Sequence, residues 1–139
     1  MKIYNPPDFY QRLQEHYNPD AEEVWVACLN SQLEVTSLEM VHRGTVSMCL
    51  AIPRDIFRAA VRTNSQYILL AHNHTSGDCT PSGEDLELTR ELCLASRILK
   101  IPIIDHLIFT PAKYVSFAQL GLIKRFMQSR RKCRWAERQ

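Results

Sequence analysis

The sequence predicts a mixed α/β or α+β domain. Its centre is an apolar run, Tyr67-Ile68-Leu69-Leu70-Ala71, which suits a strand covered on both faces. Apolar residues at helical spacing stand before it (Ile56, Phe57, Ala60, Val61) and after it (Leu88, Leu92, Ala95, Leu99). β-branched and aromatic runs on either side supply further strands.

Taken in order, Phe9, Leu13 and Tyr17 predict a short packing helix over residues 8–17, with His16 and Tyr17 on its surface. Asn18-Pro19-Asp20 turns the chain into a strand over 24–29. Asn30-Ser31-Gln32 reads as a hairpin loop leading to a second strand, 33–41. Its alternation puts Glu34 and Glu39 on opposite parities without saying which faces inward. A third strand is expected over 45–51, and Pro53 suits the first turn of the helix that follows. Arg54 reads as surface charge on that helix, and Asn64-Ser65 ends it. Beyond the central strand come a helix over 84–99 and a strand over 103–109. Asp105 and His106 interrupt this apolar strand, and buried polar groups there need partners. An edge strand over 114–117 and a helix over 118–128 complete the pattern. No repeat, low-complexity segment or linker divides the chain.

At 139 residues the chain is one domain, with 45% hydrophobic and 23% charged residues, ordinary for a soluble protein. No apolar run approaches the roughly 20 residues that span a bilayer. The first residues show no apolar core of a signal peptide, so the cytoplasm is the expected compartment. The five cysteines are scattered without a C-x-x-C pair, which argues against a disulfide framework or a cysteine zinc knuckle. Residues 124–139 carry seven Lys/Arg and one Glu, although the whole chain is only +2. Arg130, Arg131, Lys132 and Arg134, beside Trp135, suit a phosphate backbone or an acidic partner, yet a solvated tail is the simpler reading.

The stretch from Ala71 to Asp85 carries the chemistry. On a strand, His72 and His74 lie on one side of the chain. Gly77, Pro81 and Gly83 then turn the backbone so that a helix opening at Ser82-x-x-Asp85 can return its carboxylate to the imidazoles. Two histidines and an aspartate leave a fourth tetrahedral position open, the mark of a catalytic rather than a structural zinc site. Ser82 and Asp85 also fit a helix-capping box that needs no metal.

The spacing His72-x-His74, seven residues, Ser82, two residues, Asp85 resembles the H-x-H-x7-S-x2-D signature of JAB/MPN (JAMM) zinc metalloproteases. The wider string from His72 to Ser82, with Ile104-Asp105-His106 later, is similar to the RadC family within that superfamily, over about residues 22–123. Thr75 stands where that family usually has proline. The resemblance implies a three-layer fold, a curved mixed sheet flanked by helices. Residues 1–21 are then an N-terminal helical extension and residues 124–139 a basic tail.

It further implies that His72, His74 and Asp85 bind Zn²⁺ and that a glutamate five residues before a Gly-Thr pair shuttles the proton. That glutamate is Glu39, ahead of Gly44-Thr45, with Glu34 as the fallback. Ser82 would donate to the oxyanion. His106 would be structural or support the site, and Asp105 would orient a ligand histidine. The bond cut would be an amide, often an isopeptide, in a peptide substrate. The family's DNA-repair association leaves a nucleic-acid-binding role through the basic tail as the alternative. The helix-hairpin-helix module that often precedes the RadC domain finds no room in this short chain, which weakens direct DNA binding. A metal-free structural descendant is the third reading. The sequence does not fix the oligomeric state.

Overall fold

A computed structural model of the protein describes residues 1–44 and 52–128. The elements are α1 (Pro6–Gln14), β1 (Glu22–Leu29), β2 (Val35–Gly44), α2 (Pro53–Arg62), β3 (Tyr67–Asn73), α3 (Gly83–Leu99), β4 (Ile103–Phe109), β5 (Tyr114–Ser116) and α4 (Leu122–Met127). The expected strand over 45–51 and the cationic residues Arg130 to Arg134 lie outside the described residues.

The strands form one sheet in the order β2-β1-β3-β4-β5. β1 is antiparallel to both neighbours, β3 and β4 run parallel, and β5 returns antiparallel to β4. The sheet is therefore mixed, and its parallel pair is bridged by α3, as a parallel crossover requires.

Alternation along the strands makes two cores. Val24, Val26, Cys28, Ile68, Leu70 and Ile108 face α2, α3 and α4, where they meet Ile56, Phe57, Leu88, Leu92 and Phe126. Ala27, Leu29, Leu69, Ala71, Leu107 and Phe109 face the other way, onto Phe9 and Leu13 of α1. The central strand is apolar throughout because helices cover both of its faces. Helices, sheet and helix give the three layers of the JAB/MPN fold.

Four local expectations shift. α1 begins earlier than expected because Asn5 caps it, its side chain accepting from the Asp8 N–H at 3.0 Å, with proline suited to the first turn. Tyr17 is half-buried rather than wholly on the surface: its ring stands edge-on to Phe109 with centroids 4.8 Å apart. β2 starts at Val35 and runs on to Gly44, past the expected end at 41. α4 is confined to Leu122–Met127 because residues 118–121 are spent on a turn, closed by Gly121 at φ 77°.

Candidate metal centre

The site lies at the carboxyl end of β3, where open sheets with parallel strands place their ligands. Parity sends His72 to the same side as Ile68 and Leu70, the side covered by α3. The strand then gives way to the loop 74–82. Gly77 takes φ 85°, a conformation glycine adopts without steric cost, and the chain returns to the start of α3.

That start is a complete capping box. Ser82 Oγ accepts from the Asp85 N–H at 3.1 Å, and Asp85 Oδ2 accepts from the Ser82 N–H at 2.8 Å. Capping and the approach to the histidines coexist in one side chain. Asp85 Oδ1 stands 3.4 Å from His72 Nδ1, and Oδ2 stands 3.2 Å from His74 Nε2. One ligand atom from each of His72, His74 and Asp85 can be chosen so that all lie within 4.8 Å of one another. Donors on a tetrahedral zinc at about 2.0–2.1 Å would stand roughly 3.3 Å apart.

The hydrogen-bond inventory argues for a cation. His74 Nδ1 lies 2.7 Å from the Asp78 carbonyl, which can only accept, so that nitrogen carries the proton. In the neutral ring Nε2 then presents a lone pair towards the Asp85 carboxylate. His72 Nδ1, Asp85 Oδ1 and Glu22 Oε2 are all buried without a hydrogen-bond partner. Buried polar groups are seldom left so. With both imidazoles neutral, as metal ligation requires, the two carboxylates leave the cluster two charges short of neutral, which a divalent cation would supply. Burial alone would raise the Asp85 carboxyl, but the His72 and His74 rings beside it and the Ser82 N–H hold it well below the usual carboxylate range. The Asp85 carboxylate raises His74 in turn, against the opposing effect of burial.

Glu22 is the residue that sequence reasoning missed. Its Oε2 stands 3.5 Å from His72 Nε2, and its side chain is only 10% exposed. Val24 pairs with His72 in the antiparallel β1–β3 ladder, so Glu22, two residues earlier, reaches the level of His74 on the same face. The Thr75 N–H approaches Glu22 Oε1 at 3.4 Å, a contact that a proline at this position could not make.

Glu39 is placed elsewhere. It pairs with Val26, which on its other side pairs with Leu70, so β1 stands between Glu39 and β3. Two strand spacings, about 9–10 Å, separate Glu39 from Leu70 across the sheet. Its carboxylate is bound instead by Arg62 Nη2 at 2.5 Å. Glu34 stands farther off, hydrogen-bonded to Asn30 at the opposite end of the hairpin.

The Asp105-His106 pair splits across the sheet. Asp105 pairs with Leu69 and so faces the α1 side, where it cannot orient a ligand histidine. Its carboxylate accepts from Ser116 Oγ at 2.6 Å, the His106 N–H at 2.7 Å and the Ala118 N–H at 2.9 Å. Burial still raises its pKa, against these donors. His106 pairs with Leu70 and faces α3. Its Nδ1 is 2.7 Å from Thr89 Oγ1, which donates to the Asp85 carbonyl at 2.9 Å. With the single Thr89 proton spent on that carbonyl, Nδ1–H must donate to Thr89. Burial pushes the His106 pKa down to about 3, so the ring is neutral and braces the turn that carries Asp85.

No helix among the described residues is long and apolar enough to cross a membrane. The RadC-like JAB domain family matches residues 3–122. A UPF0758 protein of Symbiobacterium thermophilum is 42% identical over 102 residues, 73% of this chain and 44% of that protein. A UPF0758 protein of Thermotoga maritima is 39% identical over 120 residues, 86% of this chain and 54% of that protein. One of Roseiflexus castenholzii is 35% identical over 123 residues, 88% of this chain and 53% of that protein. The chain spans about half the length of these curated relatives. With a match that runs through all five strands and the His-His-Asp cluster, the chain belongs to the RadC-like JAB domain family.

Proposed function

We propose that this domain is a zinc-dependent hydrolase of the JAMM type, acting on amide or isopeptide bonds. The observation that carries the reading is the buried, charge-deficient cluster of His72, His74, Asp85 and Glu22, with three polar atoms lacking partners. Two imidazoles and one carboxylate are a donor set that suits zinc with an open position. When bound, zinc supplies Lewis acidity, polarising a carbonyl and acidifying water.

The chain's own residues account for the rest. His72, His74 and Asp85 hold the cation. His74 is fixed in tautomer by the Asp78 carbonyl, and Asp85 is fixed in position by the Ser82 capping box. Glu22 is the general base. Its unpartnered Oε2 takes the proton of the attacking water, and the same carboxyl returns it to the leaving amine. Ser82 Oγ accepts from the Asp85 N–H, which leaves its own proton free to donate to the oxygen of the attacked carbonyl.

Metal analysis of untagged protein by mass spectrometry tests the reading. One zinc per chain is expected, lost in a His72→Ala/His74→Ala double variant. Wild-type protein that stays free of metal after reconstitution with zinc would overturn it. With zinc established, peptide and isopeptide-linked substrates are the classes to assay.

A further inference from the structure

β3 ends at His72 and Asn73 with His74 just beyond, and the middle one of these three faces away from the cluster. Asn73, between the two histidines, turns to the other face of the sheet and is 1% exposed. Its carboxamide grips β1 at two points. Oδ1 accepts from the Glu23 N–H at 2.8 Å, and Nδ2 donates to the Ala21 carbonyl at 2.8 Å. These are the peptide groups on either side of Glu22. The residue held at both shoulders is the one whose carboxylate stands against His72.

We propose that Asn73 is the positioning residue for Glu22, setting the distance between the general base and the metal cluster. The inference rests on reading Glu22 as that base. The backbone ladder between β1 and β3 ends at the Val24–His72 pair. Just past β3, the His74 N–H donates to the Phe109 carbonyl of β4 at 3.0 Å. β1 keeps β2 on its far edge, where Glu22 pairs with Gly44, the last residue of that strand. On the edge facing β3 a side chain takes over from the backbone. A carboxamide suits this task, because like a peptide group it offers a donor and an acceptor side by side.

Glu23 completes the grip from the same face as Asn73. Its buried carboxylate accepts from Arg43 at 2.8 and 2.6 Å, from Trp25 Nε1 at 3.0 Å and from the Asn18 N–H at 2.9 Å. That set fixes the rotation of the strand about its own axis. Asn73 is left to fix how far β1 stands from the end of β3. Such control matters because a base acts only within hydrogen-bond reach of its proton, and a misplacement of about 1 Å can cost roughly 10²-fold in rate.

The test uses cobalt in place of zinc and protein labelled with ¹³C at the glutamate carboxyls. Relaxation enhancement by cobalt falls with the inverse sixth power of distance, so it reads the position of Glu22 directly. The signal is assigned by its disappearance in Glu22→Gln. Asn73→Leu, which keeps the volume and removes both hydrogen bonds, is expected to bind one cobalt per chain. The enhancement at Glu22 should fall severalfold while that at the other glutamates is unchanged. Asn73→Asp, which keeps the acceptor and loses the amide donor, is the second variant and should show the same change.

An unchanged Glu22 enhancement in both variants overturns the proposal. So does loss of metal from both, which would make Asn73 a support of the ligands, or failure of both to fold, which would make it a determinant of the fold. Absence of enhancement at Glu22 in the wild-type protein sinks something else, the reading of Glu22 as the base, and this inference with it.

Discussion

Glu22 and Glu39 both face the side of the sheet covered by α2, α3 and α4, and their surroundings give them different expected roles. Glu22 has an unpartnered oxygen beside His72, whereas Glu39 spends its charge on Arg62. Glu22→Gln is therefore expected to keep its zinc and to lose about 10²–10⁴-fold in kcat for amide hydrolysis, the usual contribution of a positioned base. Glu39→Gln should stay within a few-fold of wild type. It breaks an ion pair whose side chains are 57% and 39% exposed, and surface pairs of this kind contribute under about 1 kcal/mol. Steady-state kinetics with metal analysis on both variants decides the matter, and the reverse order would return the base to Glu39. The His72-His74-Asp85 cluster was legible, because its members sit in one short stretch whose spacing encodes a strand end and a helix start. The place of Glu22 beside it was not, because Glu22 reaches the cluster through the pairing of β1 with β3, and no local pattern states which strand is the neighbour of which.

At the scale of elements, α4 corrects where the domain ends. Placing the basic tail at residue 124 cuts through a helix whose Ile123 and Phe126 are buried in the main core. Phe126 is 4% exposed and packs beneath the Arg90 guanidinium, which lies 4.9 Å from its ring centroid. Phe126→Ala should cost about 3–5 kcal/mol by lost burial and cavity formation. Urea denaturation checks this, and a loss below 1 kcal/mol would show that α4 is not part of the cooperative unit. Any assay of DNA binding by Arg130, Arg131, Lys132 and Arg134 is accordingly made with a chain ended at Gln128. Truncation at 124 would confuse loss of the charges with loss of the core. The lysine and arginine count hid this boundary, because Lys124 and Arg125 belong to a helix whose other face is apolar. The capping box at Ser82 was legible for the opposite reason, since capping is a local interaction of four residues.

For the molecule as a whole, the apolar periodicity made the layers readable, while strand order and the two-faced distribution of Asp105 and His106 needed the pairing register. The same register buries two carboxylates against two imidazoles, a cluster that carries excess negative charge whenever the rings are neutral, as metal ligation requires. Cation binding should therefore be visible as stability. A ligand that binds only the folded state at a hundred times its Kd adds about 2.7 kcal/mol. For a domain of this size that corresponds to a rise in Tm of roughly 8–11 °C. Calorimetry of metal-free protein with increasing zinc should show this rise, and the His72→Ala/His74→Ala variant should show none. Glu22→Gln separates the base from the ligands in the same experiment. Removing one buried negative charge should leave the metal-free protein as stable as wild type or more so, because Glu22 Oε2 has no hydrogen bond to lose. If Glu22 is not a ligand, zinc should still raise the Tm of this variant. A zinc response abolished by Glu22→Gln would instead make Glu22 a fourth protein ligand, closing the position that hydrolysis requires.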